Sequence, residues 1–239
     1  MGAPFPNPPN TQPRTVSMTD VLLVFAKVPR PGDVKTRLTP VLTPDEAARL
    51  YEAFLTDALQ QYADLPVEVR LCVPPPLPNG TWDLVPDGVP VVEQRGASLG
   101  DRMQNAFEDA LSAADRVCIV GTDHPTLPTA YLRKAFEVLD PDASVCIGPS
   151  EDGGFYVLGM SAFYPVLFQT MTYSHDQVFS DTLARVEQTP ARLTVLPRWY
   201  DVDTPSSLQR LVHDLDAADA ELAATRAAVR DLRLRALLS

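Results

Sequence analysis

The segment Lys27-Val-Pro-Arg-Pro-Gly-Asp-Val-Lys-Thr-Arg37 puts four cations and a glycine into eleven residues directly after an apolar run. The chain as a whole carries 20 Lys and Arg against 31 Asp and Glu, a net charge of −11. In that setting a local concentration of cations is suited to phosphate oxygens, with Lys35 and Arg37 as the leading ligands. A solvated loop with ordinary surface cations is the plainer alternative. Two carboxylate motifs offer the complementary chemistry. Asp123 stands where the apolar run from Arg116 to Gly121 stops, and Asp201-Val-Asp203 precedes Thr204-Pro205. Hard divalent cations take oxygen ligands, and Mg²⁺ is commonly held by one or two carboxylates together with substrate phosphates and water. Two aspartates from separate strand ends are enough for that. Capping the helix that follows is the competing use of either one.

Two glycine-containing motifs complete the set. Gln94-Arg-Gly-Ala-Ser-Leu-Gly-Asp-Arg102 is a turn feeding a helix N-terminus, whose free amides favour anions and other acceptors. Glu151-Asp-Gly-Gly-Phe155 lets a backbone approach a ligand closely, and Asp152 there is placed to bind hydroxyls or assist deprotonation. A plain hairpin turn explains the same spacing. His124, beside Asp123, reads as a general base, a ligand, a residue supporting its neighbour, or a structural histidine. His175 reads as a helix-start residue and His213 as part of the last helix. Cys72, Cys118 and Cys146 each lie in an apolar run with no close partner, which points to buried thiols rather than a disulfide or zinc framework.

The elements that must position these residues alternate between strand and helix. Val21–Ala26 is a continuous apolar run of the kind a doubly covered strand needs. Thr43-Pro-Asp-Glu46 has the spacing of a capping box with proline at the first helical position. Strands are predicted at Val67–Val73, Val89–Glu93, Arg116–Gly121, Ala143–Gly148, Phe155–Met160 and Arg192–Leu196. Helices are predicted at Asp101–Ala114, Pro128–Leu139, from the capping-box spacing Ser174–Gln177 to Glu187, and over Pro205–Leu238. The pattern predicts an α/β fold, a three-layer α/β/α sandwich around a mostly parallel sheet. In such folds ligands bind at the carboxyl ends of the strands, the edge on which Asp123 would stand.

Size and charge exclude several classes. At 239 residues the chain fits one α/β domain, here residues 19–212, with a helical extension over 213–239. The acidic balance argues against a general nucleic-acid surface. No window approaches the roughly 18 apolar residues of a membrane span. Residues 1–18, rich in Pro, Asn and Thr, lack the apolar core of a signal peptide and read as the disordered leader of a cytoplasmic protein. In the last stretch Leu211, Leu215, Ala218, Leu222, Val229 and Leu232 recur at helical spacing, either to pack on the chain's own domain or to form a homodimer contact.

Taken together, Phe25–Leu38, Leu99-Gly-Asp-Arg-Met103, Gly121-Thr-Asp-x-Pro125, Asp152-Gly-Gly-Phe155 and Asp201-Val-Asp-Thr-Pro205 resemble the GT-A-like nucleotide-diphospho-sugar transferase superfamily. Within it they resemble the branch of small bacterial proposed glycosyltransferases of the DUF2064 type, related to molybdenum-cofactor and phospholactate guanylyltransferases. The resemblance implies a metal-dependent transferase that uses a nucleotide sugar or nucleoside triphosphate and a small-molecule acceptor. It implies donor phosphates on Lys27, Lys35 and Arg37, a base-reading loop at Gln94, Gly96, Leu99 and Gly100, and Mg²⁺ or Mn²⁺ on Asp123 and Asp203. The early glycines of a nucleotidyltransferase first loop are replaced here by prolines, which leaves glycosyl transfer open beside nucleotidyl transfer. A nucleotide-binding protein without turnover is an alternative. So is a haloacid-dehalogenase-like phosphohydrolase, suggested by the Asp-x-Asp-x-Thr look of Asp201–Thr204, although that motif belongs after the first strand of its domain.

Overall fold

The computed structural model describes residues 19–77, 82–217 and 221–238. The leader expected over residues 1–18, and Ala218 of the last stretch, lie outside them. Among the described residues seven strands form one sheet: β1 (Asp20–Phe25), β2 (Glu68–Val73), β3 (Val91–Glu93), β4 (Arg116–Val120), β5 (Ser144–Pro149), β6 (Phe155–Met160) and β7 (Arg192–Val195), in the order β3-β2-β1-β4-β6-β5-β7. All pairs are parallel except those of β6, which runs antiparallel between β4 and β5. The carboxyl ends of β1, β4, β5 and β7 therefore share one edge.

Both faces of the sheet are covered. In β1, Leu22 and Val24 join one apolar core with Leu55 and Leu59 of α1 (Pro44–Ala63) and Leu132 and Phe136 of α3 (Thr129–Glu137). Val21 and Leu23 join the opposite core with Met103 and Phe107 of α2 (Leu99–Leu111) and Val186 of α4 (Val178–Val186). Alternate residues of a strand point to opposite faces, so an unbroken apolar run is what a sheet covered on both sides demands. This is the three-layer α/β/α sandwich.

Helix starts obey local chemistry where no tertiary contact overrides it. The Thr43 hydroxyl accepts the Glu46 amide, and the Glu46 carboxylate accepts the Thr43 amide at 2.8 Å. An unpredicted second capping box, Ser98 with Asp101, starts α2 two residues earlier than expected. The box expected at Ser174–Gln177 does not form. Gln177 caps α4 without a side-chain bond, Ser174 has φ 69°, and the Gln177 amide donates to His175 Nδ1. The Phe179 amide donates to the Gly153 carbonyl at 2.8 Å, so a distant turn helps set this helix start.

The single helix expected over Pro205–Leu238 is divided into α5 (Pro205–Asp214), α6 (Ala223–Asp231) and α7 (Leu234–Leu237). A buried carboxylate explains the new start: Asp57 of α1 accepts the amides of Ala224 and Thr225 at 3.0 and 2.7 Å, satisfying the first turn of α6 from across the domain. Leu208, Leu211, Leu215, Leu222 and Val229 are buried in one cluster with Leu50 and Phe54 of α1, so this stretch packs on its own domain.

Candidate functional site

The sheet order creates a crevice. From β1 the chain moves outward through β2 and β3, then returns to β4 on the other side of β1. Loops leaving β1 and β4 diverge, and such a switch point is where open α/β sheets bind ligands. Lys35 ends the first of these loops and Asp123 lies in the second. Asp203 arrives by another route. After β7 the chain runs back across the carboxyl ends of the strands, with amides of Leu196, Trp199 and Val202 donating to the carbonyls of Ile147, Pro149 and Asp123 at 2.8, 3.1 and 2.7 Å. The three side chains meet: Lys35 Nζ donates to Asp123 Oδ1 at 2.5 Å and to Asp203 Oδ1 at 2.8 Å.

The expected phosphate ligand Lys35 is thus placed between two carboxylates, with its side chain only 2% exposed, whereas those of Asp123 and Asp203 are 45% and 32% exposed. Burial opposes the lysine charge, but the two aspartates outweigh it and hold the ammonium above its ordinary pKa. Burial likewise opposes the Asp123 charge, and Lys35 outweighs it, holding that carboxyl below its ordinary range. One ammonium faces two carboxylates. A negative charge is left over, and the second oxygen of each aspartate has no hydrogen bond among the described residues.

Residues that the sequence did not single out fix this geometry. The Tyr51 hydroxyl of α1 accepts the Lys27 amide at 3.0 Å and is hydrogen-bonded to Thr122 Oγ1 at 2.9 Å, tying together the loops after β1 and β4. Burial pushes its pKa up to about 12, so it stays a neutral phenol. Lys35 Nζ also lies 5.8 and 5.6 Å from the ring centres of Tyr51 and Phe54. The available signal was a tyrosine on the apolar face of the first helix, which periodicity alone assigns to the core.

The other predicted residues divide in two groups. Lys27 is exposed at the mouth of the β1 loop, and Arg37 is exposed on the 3₁₀ turn Thr36–Leu38. Leu99 opens α2 with 45% exposure, and Gly100 behind it lies against the Tyr173 ring. Gly96 has φ 140°, and a Cβ there would lie 2.6 Å from that of Asp101, so the loop passes tightly over its own helix start. Gln94 turns inward instead: its side-chain amide donates to the carbonyls of Cys72 and Ala26 at 2.7 and 3.3 Å, where it shapes the β1 and β2 ends. Asp152 sits in the β5–β6 turn, accepting the Gly154 amide at 2.9 Å. The adjoining Gly153 has φ 91°, and a Cβ there would lie 2.1 Å from the Asp176 carbonyl oxygen.

His124 is buried, with Nδ1 3.4 Å from Asp201 Oδ1, while its Nε2 has no partner among the described residues. Asp201 also accepts the Ser150 hydroxyl. Burial, with Asp152 and Asp123 nearby, outweighs His124 and raises the Asp201 pKa. This chain joins the loops after β4, β5 and β7. A cavity of about 360 Å³ lies beside it, with Arg37 and Asp152 both in its lining.

Two converging aspartates with unbonded hard oxygens and partial exposure fit a Mg²⁺ or Mn²⁺ ion that brings phosphates and water as its remaining ligands. Among the described residues no group of three or more His, Cys, Asp or Glu forms a complete metal cage. Among them, too, no helix is long and apolar enough to cross a membrane. The Asp201–Thr204 motif follows β7, the last strand among the described residues, unlike the first-strand position of the phosphohydrolase signature.

Residues 57–175 match the family described as uncharacterised proteins conserved in bacteria, DUF2064. A proposed nucleotide-diphospho-sugar transferase of known structure from Desulfovibrio desulfuricans G20 is 31% identical, with 92% of this chain and 99% of that chain covered and a TM-score of 0.80. A nucleotidyl transferase from Methanothermobacter thermautotroptrophicus is 15% identical over 84% of this chain and 99% of its own, with a TM-score of 0.53. The 4-diphosphocytidyl-2C-methyl-D-erythritol synthase of Anaerococcus prevotii DSM 20548 is 9% identical over 83% and 96%, also at 0.53. The last two share the fold alone. No curated protein sequence matches the chain.

Proposed function

We propose, for a chain that belongs to the DUF2064 family of bacterial proteins within the nucleotide-diphospho-sugar transferase superfamily, a metal-dependent transfer from a nucleotide sugar or nucleoside triphosphate to a small acceptor. The observation that carries the reading is the junction of Lys35 with Asp123 and Asp203 at the switch point of the sheet. Lys35 holds the two carboxylates at a fixed separation before any donor arrives, which lowers the reorganisation needed at the moment of reaction. Asp123 and Asp203 would hold Mg²⁺ or Mn²⁺, and that ion, when bound, supplies positive charge to the diphosphate or pyrophosphate leaving group. Lys27 faces the same phosphates from the loop mouth. Gly96 and Leu99 receive the nucleoside, with Gly100 packed behind them and Gln94 shaping the loop beneath. Asp152 orients the acceptor hydroxyl and takes up its proton.

Glycosyl transfer is favoured within this reading. The first loop turns on Pro29 and Pro31, and only Gly32 (φ 84°) among its residues is a glycine with free space around it. Its two prolines carry no amide N–H, where a glycine-rich loop offers an unbroken run of them to wrap a triphosphate. Thermal-shift titration with nucleoside triphosphates, diphosphates and nucleotide sugars, with and without Mn²⁺, tests the proposal, since a ligand of the native state raises its apparent stability. A metal-dependent shift with one class of nucleotide is expected. No shift across the panel would refute it.

A further inference from the structure

We infer that the cavity beside the carboxylate pair binds the acceptor as a small hydroxylated acid, with Arg37 on its carboxylate or phosphate and Asp152 on its hydroxyl. The inference rests on the transferase reading above and deepens it. It follows from which charges around the cavity are already satisfied.

Arg210 is committed. Its guanidinium reaches both oxygens of Glu151 at 2.9 Å and lies 3.8 Å over the Tyr200 ring. Asp203 is tied to Lys35, and Asp201 to Ser150 and His124. Two groups remain. Arg37 lines the cavity and has no hydrogen bond or ion pair among the described residues, and the second carboxylate oxygen of Asp152 has no partner there either. The 3₁₀ turn Thr36–Leu38 explains why Arg37 is spare: Lys35, left-handed at φ 48°, is drawn inward to the aspartates while Arg37 stays exposed at the cavity.

An unpaired guanidinium fork selects an oxyanion, which it can bind through two parallel N–H groups. An unpaired carboxylate selects a donor such as a hydroxyl. A neutral polyol would leave Arg37 unserved, and an acid without a hydroxyl would leave Asp152 unserved. The space of about 360 Å³ is near the lower end of ligand pockets, about 300–1,000 Å³, and suits one small molecule rather than a second nucleotide. Arg37, a donor-phosphate ligand by family resemblance, is thereby assigned to the acceptor.

The test uses the full chain with Mg²⁺ and a nucleoside diphosphate, and three probes followed by saturation-transfer NMR: glycerol 3-phosphate, glycerate and glycerol. At least one of the acids is expected to bind about tenfold more tightly than glycerol, and the two acid arms distinguish phosphate from carboxylate. Arg37→Gln should lose that preference and Arg37→Lys should keep part of it. Nucleotide affinity in Arg37→Gln should stay within about twofold of wild type, well under the 1.4 kcal/mol of a tenfold change. The assignment is overturned if neither acid outbinds glycerol, or if Arg37→Gln loses nucleotide affinity and keeps the acid. A chain that binds the acid through Arg37 and binds no nucleotide would sink the transferase reading while upholding this pocket.

Discussion

Strands β1 and β4 lie side by side and carry an ion cluster at each end. At their amino ends Asp20 and Arg116 are register partners, and the arginine fork meets both carboxylate oxygens at 2.6 Å while its third nitrogen donates to the Phe136 carbonyl at 2.8 Å. One charge answers one charge, and every strong group has a partner. At the carboxyl ends a single buried ammonium answers two carboxylates, which remain partly exposed with an unbonded oxygen each. The first cluster closes on itself and holds two strands in register. The second is anchored on a buried lysine but left incomplete, and only an incomplete cluster has something to offer a ligand.

Removing the lysine should break the second cluster most severely. Lys35→Met leaves two carboxylates facing each other and is expected to cost about 2–4 kcal/mol in urea unfolding, less than for a wholly buried pair because the carboxylates left behind are partly exposed. Mn²⁺ with a nucleotide should restore part of that loss. A cost below about 1 kcal/mol would mean that Lys35 does not hold the pair. The amino-end counterpart, Arg116→Met, should cost about 1.5–3 kcal/mol through lost charged hydrogen bonds, with no recovery on adding metal. Recovery there would erase the distinction between the two ends.

Tyr51→Phe removes the hydroxyl that joins the two loops and should cost about 1 kcal/mol, seen as faster hydrogen exchange at the Lys27 amide. The pH effect is the smallest. Asp123 has its pKa lowered in the fold, so its contribution is full above its ordinary value of 3.8 and fades as pH falls through the folded value. Asp123→Asn should therefore flatten the acid limb of the stability profile below about pH 4. An unchanged limb would deny the Lys35–Asp123 coupling.

The sandwich was legible because apolar runs and capping boxes are local signals, as in Val21–Phe25 and Thr43–Glu46. Asp123 and Asp203 were legible as carboxylates ending strands or opening helices. Their shared partner was not: Lys35 lies 88 and 168 residues away from them, and a cationic loop reads as phosphate-binding until its lysine is seen turned inward. Tyr51 and Gln94 were obscured for the same reason, since a core tyrosine and a loop glutamine take their meaning from backbone groups of other strands. The division of the last helix depended on Asp57, in another element altogether.

The two ends differ in what they are proposed to bind: the carboxyl-end cluster a metal and a nucleotide, the amino-end cluster neither. Titrating Mn²⁺ against wild type, Asp123→Asn, Asp203→Asn and Arg116→Met in the presence of UDP or GDP, with free Mn²⁺ read by electron paramagnetic resonance, tests it directly. Nucleotide-dependent Mn²⁺ binding is expected in wild type and Arg116→Met, weakened at least about tenfold in both asparagine variants. Equal binding in all four proteins would contradict it.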